Sequence, residues 1–110
     1  MTTFDGREQA FEAKFAHDEE LAFRVTARRD KLVARWLGTW LGMDDAAQAA
    51  LTNAILAIPN TAPHDARLQL LVEKTADAHR RPVPKGEYPE RLRAASLQSK
   101  AELLDGPGPV

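Results

Sequence analysis

The sequence contains no cysteine, so disulfides, thiolate catalysis and cysteine-based metal sites are excluded. It has no run of roughly 20 apolar residues that could cross a bilayer, and its acidic N-terminus does not resemble a signal peptide. We therefore expect a cytoplasmic protein that does not insert into a membrane. A metal site is not expected either, because His17, His64 and His79 each lack a second histidine at helical spacing.

Alternating apolar and polar residues, the pattern of a β-strand, are also missing. Apolar residues instead recur at spacings of three and four. With 44% hydrophobic and 28% charged residues in 110 positions, the chain has the composition of one small domain. Four such segments joined by short connections predict an all-α protein, a four-helix bundle of antiparallel helices.

Glycines, prolines and aspartates set the expected helix ends. The first helix is predicted from about Asp5 to Leu41, ended by Gly42, and its apolar face holds Leu21, Val25, Leu32, Val33, Trp36, Leu37 and Trp40. Asp44 or Asp45 caps the second helix, Asp45 and Gln48 have capping-box spacing, and Pro59 ends it. Its apolar stripe is Ala47, Leu51, Ala54, Ile55 and Ile58.

The last two helices are separated by a proline-rich linker. Pro82 terminates the third helix, whose predicted inward face is Leu68, Leu71, Val72, Thr75 and His79. Pro89 fits the first turn of the fourth helix, which Gly106 ends and whose predicted inward residues are Leu92, Ala95, Ser99 and Leu103. The ending "DGPGPV" is expected to be a disordered tail.

Charge is unevenly distributed, although the net charge is only −1. Residues 1–20 hold six acids and two bases, whereas residues 21–42 hold five bases and one acid. The basic residues include a helical stripe made of Arg24, Arg28, Lys31 and Arg35. This stripe fits a solvated helix face, with Glu20 supporting Arg24, or a contact with a phosphate-bearing ligand or an acidic partner. The balanced total argues against nucleic-acid binding.

All four phenylalanines lie in the first 23 residues. Phe4, Phe11 and Phe15 would share one face with the tryptophans if residues 4–41 formed a straight helix, but Asp18 interrupts that face. Burying an unpaired carboxylate would cost roughly several kcal/mol of folding free energy. Either the helix bends and the phenylalanines fold back onto the bundle, or the segment is an arm that becomes helical in a groove of another protein. In both cases the expected hinge is His17, Asp18, Glu19 and Glu20.

An enzyme is not expected. The carboxylates at 18–20 are adjacent and point apart on a helix, and no serine, histidine and acid set or glycine-rich turn accompanies them.

The stretch "FDGREQAFEAKFAHDEELAFRVTARRDKL", residues 4–32, resembles the N-terminal signature of the ATPase inhibitor zeta subunits of alphaproteobacterial rotary ATP synthases. Gly6 stands where that pattern usually has an acid, and residues 80–100 depart from it. The resemblance implies a four-helix bundle with an N-terminal inhibitory region that inserts between subunits of the soluble catalytic head of the ATP synthase. That insertion blocks ATP hydrolysis more than synthesis.

Carried onto this chain, the resemblance implies an inhibitory arm at 1–18, a helical bundle at 19–105 and a tail at 106–110. The phenylalanines would bind the partner, while Arg7, Glu8, Glu12 and Lys14 would set the orientation. The free protein is expected to be a monomer without a cofactor, although adenine-nucleotide binding has been suggested for the family. The alternative function is a small helical adaptor or a nucleotide-sensing bundle without inhibitory activity.

Overall fold

The computed structural model describes residues 2–104, with side chains from residue 18 onward. Four helices are present: α1 at Thr2–Trp40, α2 at Asp45–Leu56, α3 at His64–Ala78 and α4 at Glu87–Leu103. Within these residues there is no β-strand, and the predicted all-α, four-helix architecture is confirmed. Although α1 is long, neither it nor any other helix in this range has a stretch apolar enough to span a bilayer.

The connection between α1 and α2 follows the predicted turn chemistry in part. Gly42 has φ +71°, a left-handed conformation that favours glycine, and the Asp44 carboxylate accepts a hydrogen bond from the Ala47 amide at 2.8 Å. The predicted capping-box pairing of Asp45 with Gln48 is wrong. Gln48 instead donates its side-chain amide to the carbonyl oxygen of Ala34 in α1, at 2.8 Å.

Gly38 makes that contact with α1 possible. A Cβ atom at this position would lie 1.7 Å from Oε1 of Gln48, so the side chain that bridges α1 and α2 would have to move. The absence of a side chain at Gly38 therefore lets the two helices approach closely.

The third and fourth helices begin and end near the predicted prolines. Residue 78 is the last of α3, before Pro82, and α4 starts after Gly86, which has φ +87°. Pro89 lies in the first turn of α4, as predicted. His79 is not part of the inward face of α3, since it follows the helix end and is exposed. Ala76 takes the buried position one turn earlier.

Both α2 and α4 run antiparallel to α1. Ser99 of α4 bonds to Val25, whereas Arg91, earlier in α4, lies over the ring of Trp36, later in α1. In the same way, Gln48 at the start of α2 reaches Ala34, and Leu56 at its end lines a cavity with Ala27. The contacts confirm the antiparallel arrangement that short connections favour.

The core takes residues from all four helices. Val33, Leu37, Ile55, Leu68 and Val72 are at most 1% exposed. Ala34, Leu51, Ala76, Tyr88 and Ala95 complete the buried cluster. Besides His79, two predicted core residues are wrong: Ala54 of α2 is exposed, and Leu103, in the last turn of α4, is 39% exposed because the bundle ends there.

We expect Leu37→Ala to lower the free energy of unfolding by about 2–5 kcal/mol, because it removes a fully buried side chain and leaves a cavity. Leu97→Ala is the matched control, since Leu97 lies on α4 and is 60% exposed; its effect should stay within about 0.5 kcal/mol. Urea unfolding followed by circular dichroism measures both. Equal effects of the two substitutions would contradict the core assignment.

Candidate functional site

The predicted arm and its hinge lie at the N-terminal end of α1. The partner-binding residues Phe4, Arg7, Glu8, Phe11, Glu12, Lys14 and Phe15, and His17 of the hinge, lie outside the residues whose side chains are described. Asp18, Glu19 and Glu20 are all exposed, and the α1 backbone is helical through them. Exposure of Asp18 fits the argument that its carboxylate is not packed in a core. The hinge itself stays a prediction.

A shallow cavity of about 360 Å³ lies where α1 first meets α4. Its walls are mainly Leu21, Ala22 and Val25 of α1 with Lys100 and Leu104 at the end of α4. In the same turn of α1, Phe23 is 55% exposed. The first bundle residues after the predicted arm therefore carry apolar surface that the described part of the chain does not fully cover.

Two polar contacts hold this part of α1 against α4. The hydroxyl of Ser99, which is fully buried, donates to the carbonyl oxygen of Val25 at 2.6 Å. Arg28 donates through Nε to a carboxylate oxygen of Glu102 at 2.6 Å. This hydrogen bond lowers the pKa of Glu102, a shift to which the neighbouring amide of Gln98 adds. These polar contacts between α1 and α4 thus lie at Val25 and Arg28, beyond the predicted arm.

Two of the four residues of the basic stripe form ion pairs with described carboxylates. Arg24 forms an ion pair with Glu20 at 2.8 Å, the predicted support at a spacing of four, and Arg28 is held by Glu102. Lys31 and Arg35 are exposed and line a cavity of about 220 Å³ near Gln48. Half of the stripe is therefore already neutralised by nearby carboxylates.

A larger groove of about 500 Å³ lies between α1 and α4. Trp36 and Trp40 form one side with their rings stacked, the centroids 6.1 Å apart and the planes inclined by 13°. The guanidinium of Arg91 lies 5.9 Å from the Trp36 ring centroid, and that of Arg81 lies 4.7 Å from the Trp40 centroid. Arg35 is the one member of the basic stripe that also lines this groove.

A cluster of four charged side chains joins α1 to the start of α3. The carboxylate of Asp30, only 3% exposed, lies 2.7 Å from Nε2 of His64 and accepts a hydrogen bond from Arg29 at 3.0 Å. The Arg29 guanidinium extends to Asp65, at 2.7 Å. The Arg29 side chain is only 13% exposed and is paired with both carboxylates.

The cluster shifts the titration of its members. Burial and the nearby Arg29 charge lower the pKa of His64, but hydrogen bonds to the Pro59 carbonyl and to Asp30, together with the Asp30 charge, raise that pKa above its usual value. The hydrogen bond from Arg29 lowers the pKa of Asp65. Burial raises the pKa of Tyr88, which also senses the charges of this cluster, to about 12.

The charge cluster was missed because its members are far apart in sequence. Asp30 and His64 are separated by 34 residues, so no local spacing connects them. The one available signal was that Asp30 is the only acid among residues 21–42. Among the side chains described, no three of His, Asp and Glu are arranged to hold a metal ion.

We expect Ser99→Ala to destabilise the protein by about 1 kcal/mol more than Ser96→Ala does. Both changes replace a serine of α4 by alanine, so the gain in helix propensity cancels in the comparison. Only Ser99 loses a buried hydrogen bond, the one to Val25. Chemical unfolding of the two variants measures the difference. Identical midpoints would mean that this bond does not stabilise the contact between α1 and α4.

Comparisons with known proteins point to one family. The family model described as ATPase inhibitor subunit zeta matches residues 1–102. No curated protein and no solved structure matches the chain. The match extends well beyond residues 4–32 and covers all of α2 and α3 and nearly all of α4.

Proposed function

The chain belongs to the ATPase inhibitor subunit zeta family, and from this premise we propose that it inhibits ATP hydrolysis by inserting residues 1–18 at a catalytic interface of the soluble ATP synthase head. The family is one of regulatory, non-catalytic proteins that act on the ATP synthase. We further propose that this chain works in the cytoplasm as a monomer when free, and that it catalyses no reaction itself. The observation that carries the proposal is the family match across arm and bundle together.

The packing of the bundle supports a separate role for the first residues. All the buried residues in the described range lie between Asp30 and Ser99. These residues form a core with partners from all four helices. Because the described helices form a core with one another, we propose that residues 1–18 use their apolar side chains for a partner.

The proposed mechanism is steric. As Phe4, Phe11 and Phe15 enter a groove of the head, each burial contributes roughly 1.5–3 kcal/mol before the cost of ordering the segment. Arg7, Glu8, Glu12 and Lys14 orient the helix through rim contacts, which makes the association rate depend on salt. The bound helix then holds one catalytic interface closed, and rotation stops.

We expect Phe11→Ser to weaken inhibition at least tenfold, which corresponds to about 1.4 kcal/mol of lost binding free energy. Phe23→Ser is the matched control, because it removes the same ring from an exposed position on the bundle; it should inhibit nearly as well as the unchanged chain. The assay is ATP hydrolysis by the isolated synthase head, titrated with each variant after a melting curve shows that both are folded. If Phe11→Ser inhibits normally, the arm is not the inhibitory element.

The Trp36–Trp40 groove supports a second candidate function, adenine-nucleotide binding. Its stacked rings offer an aromatic surface for a base, and Arg35 and Arg91 on its walls offer positive charge for phosphates. Of the four residues predicted for such a contact, Arg35 is the one placed beside an aromatic surface. Arg24 and Arg28 are engaged by Glu20 and Glu102.

For this second function, ADP should quench the tryptophan fluorescence with a saturable curve, and Arg35→Gln should weaken the apparent affinity at least threefold. Lys31→Gln is the matched control, because it removes the same charge from the same stripe at a position that does not line the groove. The logarithm of the ADP affinity should change less than half as much in Lys31→Gln as in Arg35→Gln. No saturable quenching with the unchanged chain, or equal loss in both variants, would rule out nucleotide binding in this groove.

A further inference from the structure

His64 occupies an unusual position for a histidine in a small bundle. It is the first residue of α3, its side chain is only 12% exposed, and both ring nitrogens face acceptors. Nδ1 lies 2.8 Å from the carbonyl oxygen of Pro59, and Nε2 lies 2.7 Å from the carboxylate of Asp30. A neutral imidazole has one N–H and can satisfy only one of these acceptors, whereas the imidazolium satisfies both.

The charges around the ring also favour the protonated form of His64. From α1, Asp30 and Arg29 face the cluster, and from α3 Asp65 does. From α4, the phenol of Tyr88 is buried and uncharged at neutral pH; α2 contributes to the adjacent cavity only through Leu56, which does not titrate. With His64 protonated, two positive and two negative side chains balance. With His64 neutral, the two carboxylates of Asp30 and Asp65 face only the one positive charge of Arg29, and the cluster has a net negative charge.

The two contacts of His64 also define which parts of the chain the protonated side chain joins. Pro59 lies in the connection between α2 and α3, and Asp30 lies in the C-terminal half of α1, so the imidazolium joins the connection to α1. Leu56, Ile58 and Asn60 of the same region line a cavity of about 40 Å³ against Phe23 and Ala27 of α1. We propose that His64 is a proton-operated latch, which holds residues 57–64 against α1 when protonated and releases them when neutral. This inference does not depend on the inhibitory activity.

The sign of the pH dependence follows from the raised pKa of His64. The contribution of the latch to stability is fully present below the pKa of histidine in the unfolded chain, about 6.5. It is lost as the pH rises through the higher pKa of the folded protein. The latch is therefore closed below the pKa of His64 in the folded protein and opens as the pH rises through that pKa, when Leu56 and Ile58 leave the surface around Phe23.

The first test is a histidine titration of the full chain by NMR. The His64 midpoint is compared with the pKa of histidine in an unfolded chain, about 6.5. We expect the His64 midpoint to lie above that value, and Asp30→Asn to lower it. A His64 midpoint at or below about 6.5 would overturn the proposal.

The second test measures opening directly. Amide exchange of residues 57–64, corrected for the intrinsic effect of pH on exchange, should show an opening constant at least threefold larger at pH 8.5 than at pH 5.5. His79→Gln should retain this rise, and His64→Gln should abolish it by having no titrating ring. A rise that persists in His64→Gln would contradict the latch, and so would an equal rise in the amides of α1 residues 30–37, which would indicate global unfolding. If His64→Gln does not fold, the exchange of the unchanged chain and of Asp30→Asn still decides the question.

Discussion

The structure depends on one constraint: the segment of α1 from Val25 to Trp40 must contact every other part of the bundle at once. It receives Ser99 from α4, His64 from α3 and Gln48 from α2. Arg81, in the connection between α3 and α4, donates to the carbonyl oxygen of Trp40. A helix surrounded on so many sides needs small residues where neighbours come close, and Ala34 and Gly38 supply them at the contact with Gln48. The remaining helices need only one apolar stripe each, because α1 provides the opposing surface.

That arrangement also explains why a charged group lies inside the bundle. Breaking a buried ion pair leaves an uncompensated charge and is strongly destabilising, so Asp30 is tolerable only with its partners in place. Arg29 and His64 provide them from α1 and α3. Apolar residues in these positions could pack against α1 in more than one register, because apolar contacts are not directional. The polar contacts instead specify which residues of the connection between α2 and α3 meet α1, which is the registry role best established for buried polar groups.

The sequence predicted the parts of the fold that depend on local rules. Helix number, the glycine at residue 42, the proline at residue 89 and the core positions Leu37, Ile55 and Val72 follow from periodicity and turn chemistry. What could not be predicted depends on contacts between distant residues. Gln48 had the spacing of a capping partner, but a backbone carbonyl of α1 lay within its reach. Asp30 and His64 looked like isolated polar residues because periodicity records which face a residue occupies, not which side chain meets it there. The same limit applies to Arg35 among the four stripe residues, since only the packing of α4 places it beside the tryptophans.

The packing of α4 bears on how far the sequence of a bundle of this kind can vary while the architecture is kept. From residue 87 onward the chain forms α4 and presents Tyr88, Ala95 and Ser99 to the core. Three buried positions of suitable size and polarity are enough to hold a helix of 17 residues against α1, and the exposed positions are free to change. Retention of the fold therefore places little demand on the exposed positions of α4, because Tyr88, Ala95 and Ser99 are the residues of this helix that are buried against the rest of the bundle.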